Sequence, residues 1–265
     1  MKRRLVIISY DGGEENLLPD LQYDINNYIS FFSMPEAGAW DKEEIRYLIS
    51  PSISKLENWF KTWRILGIEF YVIIFTGHGY CDEKRNRYIQ LNDEEDYAVE
   101  QLKTLVGEKS RSLFISDSCG TVWTPAQEAI QDSIQEQREF SSGDVNYRGI
   151  CRFKYEERLS DIPEGTFMEV YSSAFDEGAL YDEDKYHSIY SYFLLKAARE
   201  RIKEKRTMKK NNPFYREYTS FTFIHEIAKR TVQNITKGKQ NPVCVIEKGA
   251  QFPFLVVPKV SSRIL

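Results

Sequence analysis

Six short apolar runs constrain this chain more than any other feature. They fall at residues 5–9, 70–75, 112–116, 166–172, 243–246 and 254–257, and are rich in β-branched and aromatic side chains. A strand with one wet face alternates apolar and polar residues. A run without alternation needs cover on both faces, the condition met in a mainly parallel sheet between layers of helices. Helical patterns supply that cover. In 54–67, Leu56, Trp59, Phe60 and Trp63 recur at the spacing of one helix face. Ile189, Tyr190, Phe193, Leu194, Ala197 and Ala198 do so in 188–204. In 220–237 the same period is kept by Ile224, Ile227, Ala228, Thr231 and Ile235, with Gly238 as a stop. Strands alternating with helices predict an α/β layered domain with right-handed crossovers.

No internal repeat and no Gly/Ser- or Pro-rich linker divides the sequence, so residues 1–265 read as one domain. Two polar stretches read as surface loops. One spans about 121–163; the other, 201–216, carries Lys203-Glu204-Lys205-Arg206 and Lys209-Lys210.

Charge and cysteine usage narrow the class of function. There are 36 Lys and Arg against 40 Asp and Glu, a net charge of −4. A face that tracks phosphates needs concentrated positive charge, so no nucleic-acid partner is expected. Cys81, Cys119, Cys151 and Cys244 show no paired spacing, which suits a reducing compartment. Lys2-Arg3-Arg4 precedes only Leu5-Val6-Ile7-Ile8, short of the roughly 7–15 apolar residues of a secretion signal. No run approaches the roughly 18 apolar residues of a membrane span. The expectation is a cytoplasmic protein with no membrane partner.

In an open α/β sheet, ligands bind just beyond the carboxyl ends of the strands. The run at 70–75 leads into Thr76-Gly77-His78-Gly79, and that at 112–116 into Asp117-Ser118-Cys119-Gly120. A lone core histidine or cysteine is commonplace. The pair is more telling, because each follows a strong apolar strand. A thiolate beside an imidazole is the equipment of a cysteine peptidase: the sulfur attacks, and the imidazole favours the thiolate and later protonates the leaving amine. Gly79 leaves a backbone N–H bare, and with the N–H of Cys119 it could hold a developing oxyanion.

The segments Tyr71-Val72-Ile73-Ile74-Phe75-Thr76-Gly77-His78-Gly79 and Leu113-Phe114-Ile115-Ser116-Asp117-Ser118-Cys119 resemble the two catalytic segments of caspase-like cysteine peptidases. The separation of His78 and Cys119 also fits the scale of about 50 residues usual for caspases. An Asp two residues before the cysteine makes the likeness closest to metacaspases and paracaspases. The segment after it departs from them, with Gly120-Thr121-Val122 where His-Ser-Gly is common. The resemblance implies a three-layer sandwich: a central, mainly parallel, six-stranded sheet flanked by helices. It implies a cysteine endopeptidase with a His78/Cys119 dyad.

It further implies that Asp117 helps line a pocket for Arg or Lys before the scissile bond. Ser172-Ser173-Ala174-Phe175-Asp176 matches a Ser-Gly-Cys-x-Asp segment whose acid lines the same pocket, which makes Asp176 the second candidate. Two carboxylates suit a guanidinium fork. His78 and Cys81 gather no further ligands at zinc spacing, so no metal is expected. Some metacaspases need calcium, but Asp93-Glu94-Glu95-Asp96 and Asp182-Glu183-Asp184 lack EF-hand spacing, and no cofactor is expected. The expected partner is a protein or peptide substrate with Arg or Lys before the cut, with an activating partner as a further expectation. The 121–163 segment is the candidate self-processing loop, with Arg138, Arg148 and Arg152 as cut sites around Ser141-Ser142-Gly143. For a bacterial chain, family analogy would suggest a role in antiviral defence or cell death. The alternative, a catalytically silent scaffold of the same fold, is opposed by the intact His78 and Cys119.

Overall fold

The apolar runs form the centre of a sheet, with one exchange at its edge. The computed structural model describes residues 1–13, 18, 21–123, 142–182, 187–208, 215–247 and 249–259, with backbone alone for 119–123 and 142–145. In the first half of the chain these form β1 (Arg3–Tyr10), α1 (Leu21–Ser33), β2 (Ile45–Ile49), α2 (Ile53–Ile65), β3 (Phe70–Gly77), β4 (Gly79–Cys81), β5 (Arg87–Gln90), β6 (Asp96–Ala98), α3 (Val99–Val106) and β7 (Arg111–Trp123). The second half gives α4 (Ser142–Ser160), β8 (Phe167–Tyr171), β9 (Ala179–Asp182), β10 (His187–Ser188), α5 (Ile189–Thr207), β11 (Tyr218–Ser220), α6 (Phe221–Ile235), β12 (Val243–Val245) and β13 (Pro253–Val256).

Six strands in the order β12-β8-β7-β3-β1-β2 make the centre of an eight-stranded sheet, which β9 and β10 extend from the carboxyl end of β7. Within the six, all neighbours run parallel except β12, which lies antiparallel to β8. Alternation along each strand divides the core into two layers. Leu5, Ile7, Val72, Ile74, Leu113 and Ile115 face α1, α4, α5 and α6. Val6, Ile8, Ile73, Phe75 and Phe114 face α2 and α3. This is the expected α/β sandwich.

Three expectations are corrected. Residues 254–257 were expected in the main sheet, but β13 pairs with β11 in a separate two-stranded sheet. Its apolar character comes from burial in the α1/α4/α5/α6 layer. The edge place belongs to β2, where Leu48 alone is buried and Tyr47 and Ile49 are exposed. Apolar runs therefore report burial, and sheet membership is a separate matter.

The 121–163 stretch is not one long loop. β7 continues to Trp123 and α4 occupies Ser142–Ser160. Cys151, Tyr155 and Leu159 form the buried stripe of α4, while ion pairs hold its polar sides. Arg148 reaches Asp41 at 2.9 Å and donates to the Ser33 carbonyl at 2.7 Å. Arg152 reaches Asp41 and Glu44, each at 2.6 Å. Arg138 and Ser141 lie outside the described residues.

The 201–216 stretch is likewise helical as far as Thr207. Lys205 is buried, donates to the carbonyls of Arg216 and Tyr218, and has its pKa lowered by desolvation to about 8. Lys209 and Lys210 lie outside the described residues.

Candidate active site

Parallel register brings the two candidate segments together. Along β3 and β7, Phe75 pairs with Ser116, Thr76 with Asp117 and Gly77 with Ser118. One residue further on are His78, just past the end of β3, and Cys119, still within β7, so the two backbones stand at the same level, where strands lie about 4.8 Å apart. β1 ends beside them, with Tyr10 opposite Gly77. Beyond Ser118 the backbone of β7 turns to a new partner: Cys119 pairs with Ala179 of β9, and the register shifts before Thr121.

Glycine is required on both sides of His78. At Gly77, φ is +151°, and a Cβ would stand 2.4 Å from the Tyr10 carbonyl oxygen. At Gly79 a Cβ would stand 2.7 Å from Ser118 Oγ and 2.8 Å from the Tyr88 carbonyl. Both approaches are closer than real Cβ contacts allow, so the Gly-His-Gly spacing is a packing requirement as well as a means of baring N–H groups.

His78 is half-buried at the head of the small β4-β5-β6 sheet, and its carbonyl accepts from the Gln90 N–H at 2.9 Å. The Tyr10 ring meets its ring edge-on at 6.4 Å between centroids. The Tyr10 hydroxyl donates to the Asp93 carboxylate, which, with burial, raises its pKa to about 12. Sequence reasoning missed Tyr10 and Asp93. The signal was available: Tyr10 ends the first apolar strand, beside the strand that leads into His78.

The other histidines and cysteines have different surroundings. His187 is buried between the rings of Tyr23 and Tyr192. His225 is buried with Nδ1 2.8 Å from the Tyr190 hydroxyl, and desolvation lowers its pKa to about 4. Desolvation pushes the Cys151 and Cys244 thiols up to about 12 and also raises Cys81. Such thiols are poor nucleophiles at neutral pH.

The two acids proposed to share a pocket lie on opposite faces of the sheet end. Asp117 has no solvent exposure and follows the alternation of Leu113 and Ile115 towards α5. Ser191 Oγ donates to its Oδ2, and the Tyr28 hydroxyl lies 2.6 Å from Ser191 Oγ. Desolvation raises its pKa, opposed by the hydroxyls of Ser188, Ser191 and Ser172. No described group meets hydrogen-bond geometry at Asp117 Oδ1.

Asp176 is exposed, with φ +62° in the loop after β8. It lines a cavity of about 210 Å³ that also takes in Gly79, Cys81, Arg87, Ser116, Ser118 and Tyr171. Ser116 and Ser118 belong to the α2/α3 face, and their hydroxyls lie 2.9 Å apart. Asp117, between them, is absent from the cavity lining.

Among the described residues no group of three or more His, Cys, Asp or Glu is placed to hold a metal ion. In the first acidic run, Asp93 accepts from Tyr10, Glu95 from the Ile53 N–H and Asp96 from Tyr80. Glu183 and Asp184 lie outside the described residues. No helix among the described residues is long and apolar enough to cross a membrane.

A six-stranded, mainly parallel sheet between helices, with His-Gly and Asp-x-Cys at neighbouring strand ends, defines the class as an α/β sandwich of the caspase type. The family model for the caspase domain matches residues 65–251, and the chain belongs to that family of cysteine peptidases. Its fold is similar to that of caspase-1 from Spodoptera frugiperda, with a TM-score of 0.58 at 8% identity over 98% of this chain and 92% of that one. The Drosophila initiator caspase Dronc gives 0.57 at 9% identity, over 95% and 81%. The pro form of the Spodoptera enzyme gives 0.53 at 9%, over 92% and 86%. Among curated proteins, no sequence matches the chain.

Proposed function

We propose that the chain is a cysteine endopeptidase that cuts after Arg or Lys. The observation that supports this reading is the register of β3 and β7, whose last pair, Gly77 with Ser118, stands one residue before His78 and Cys119. The Cys119 thiolate attacks the carbonyl carbon of the scissile bond, and the N–H groups of Gly79 and Cys119 receive the oxyanion. Collapse breaks the C–N bond as imidazolium His78 gives its proton to the leaving amine. Water, deprotonated by His78, then cleaves the thioester and releases the acid and the free thiol.

Asp117 supports the basic preference. A carboxylate buried among the hydroxyls of Ser188, Ser191 and Ser172 with no counter-charge among the described residues is costly, and an incoming guanidinium or ammonium would supply one. Asp176 stands on the other face of β7, so its part in the same pocket is the weaker half of the expectation. Cytoplasmic action, an activating partner and a place in defence or cell death belong to this reading through family resemblance alone.

The test is labelling and turnover. A thiol-reactive peptide probe ending in Arg should label Cys119 and no other cysteine. Cys119→Ala and His78→Ala should each lose peptide hydrolysis while keeping the wild-type melting temperature within a few degrees. A folded Cys119→Ala protein with full activity removes the nucleophile assignment.

A further inference from the structure

Alternation along β7 gives the strand end two faces, and each holds a charged group short of a counter-charge. Asp117 lies on the α5 face. On the α2/α3 face, the cavity beside Gly79 and Ser118 contains Arg87, from β5. The Arg87 guanidinium stacks on Tyr171 at 3.8 Å and on Phe175 at 4.4 Å, and Nη2 donates to the Ser173 carbonyl at 3.2 Å. No carboxylate lies within ion-pair distance of it among the described residues. A half-buried guanidinium, held flat by two rings and one carbonyl, keeps N–H groups free to grip a planar anion.

The acids near it do not fill that role. Glu177 spends both carboxylate oxygens on Asn241, at 2.8 Å to its N–H and 2.7 Å to its amide nitrogen. Asp176 faces solvent, where water screens it. At the rim, Arg85 adds a second cation 5.6 Å from the Phe175 ring.

Resting on the peptidase reading above, we infer that the Arg87 cavity receives an acidic side chain on the leaving-group side of the scissile bond. A substrate lying across the strand ends has one flank on each face of β7. With Asp117 taking the basic residue before the bond, the residues after it fall to the face that carries Arg87. An extended peptide advances about 3.4 Å per residue, so a cavity that includes Gly79 and Ser118 suits the first or second position after the bond. The substrate class is a basic residue followed at once by Glu or Asp.

The test separates binding from cleavage. Full-chain Cys119→Ala protein is titrated, by fluorescence anisotropy, with labelled peptides carrying Arg followed by two Glu, two Gln or two Lys. The Glu peptide should bind roughly 10-fold or more tighter than the Gln peptide, the usual worth of a charge-assisted contact. Arg87→Gln in that background should remove the difference, and Arg87→Glu should reverse it in favour of the Lys peptide. Arg87→Lys, which keeps the charge without the fork, should retain part of it and covers the case in which Arg87→Gln fails to fold.

Equal binding of the three peptides, no binding of any, or a Glu preference that survives Arg87→Gln each overturns the assignment. Turnover by protein with Cys119 intact distinguishes the two readings. Arg87-dependent binding without any cleavage removes the peptidase and leaves the cavity. Cleavage after Arg with no preference for Glu removes the cavity assignment and leaves the peptidase.

Discussion

Replacing Asp117 by Asn should move stability and activity in opposite directions. The side chain keeps its volume, and an amide oxygen can still accept from Ser191. What is lost is a negative charge in a site with no solvent exposure, where Oδ1 has no donor among the described residues. An unsatisfied buried group of this kind costs about 1–3 kcal/mol. The pH dependence follows from the raised pKa, whose first cause is desolvation. Because the folded value lies above the unfolded one, the folded state holds its proton more tightly. The penalty is absent below the ordinary aspartate range, grows as pH rises towards the folded pKa, and is complete above it. Asp117→Asn should therefore melt like the wild type near pH 3–4 and higher at pH 7, at roughly 2–4 °C per kcal/mol.

Activity should show the reverse. Loss of a charge-assisted contact of about 1.5–3 kcal/mol corresponds to a fall of roughly 10–150-fold in kcat/KM for Arg substrates. The assay pairs thermal melts across pH with kcat/KM for peptides that differ only in Arg or Gln before the bond. An Asn variant that is less stable at pH 7 and keeps its Arg-over-Gln ratio would refute the reasoning. Asp117 would then be an internal tether for Ser191.

Other expectations need less development. Gly79→Ala should cut turnover by about 10²-fold with a stability loss of roughly 1–3 kcal/mol, since the new methyl meets Ser118 Oγ at 2.7 Å and the Tyr88 carbonyl at 2.8 Å; unchanged kcat/KM counts against a close role for that backbone. His225, buried with a pKa near 4, should cost about 3 kcal/mol of stability as pH falls from 6.5 through 4, and His225→Leu should flatten that limb of the pH–stability curve; coincident acid limbs would contradict it. Arg206→Ala should strand the buried Glu36 carboxylate beside Tyr147 and lower stability by about 1–3 kcal/mol, measured by urea unfolding. Mass spectrometry of active protein beside Cys119→Ala protein should show no self-cleavage at Arg148 or Arg152, which are held in α4; a cut at either would refute this.

Much of this fold was legible because burial writes itself into composition. β1, β3, β7 and β8 are covered on both faces and read as unbroken apolar runs. The same rule misplaced β13, equally buried in another sheet, and passed over β2, whose residues are mostly half-buried or exposed. α4 was hidden for a related reason. Its polar sides are neutralised by Asp41 and Glu44, more than 100 residues away in sequence, so local composition looks like solvated loop. At the strand ends, His78, Gly79 and Cys119 stood out as candidates because an apolar run leads into each segment. Arg87, Tyr10 and Asp93 were not, because their meaning depends on which face and which neighbour the register gives them. The two acids illustrate the limit: each was visible, but their separation to opposite faces of β7 was not.

The two ends of the sheet differ in how their charged groups are paired, although buried nitrogens without a hydrogen bond, Arg3 Nη1 and Trp40 Nε1, occur at the amino end too. At the amino end, Arg3 is buried against Trp40 at 4.4 Å, reaches Glu44 at 3.1 Å and donates to the Gly38 carbonyl at 2.8 Å. Arg152 joins the same cluster, so charge there is answered by charge. At the carboxyl end the local rules are broken. Gly77 and Gly79 stand where no side chain fits, Asp117 is buried with Oδ1 unanswered, and Arg87 shares its cavity with Asp176 and Glu177 yet has no carboxylate within ion-pair distance among the described residues. The buried, unanswered Asp117 oxygen costs stability. Proteins tolerate such costs where a ligand removes them on binding. A peptide with a basic residue before the bond and an acidic one after it would answer both charges at once. The same strand ends would hold its carbonyl between His78 and Cys119.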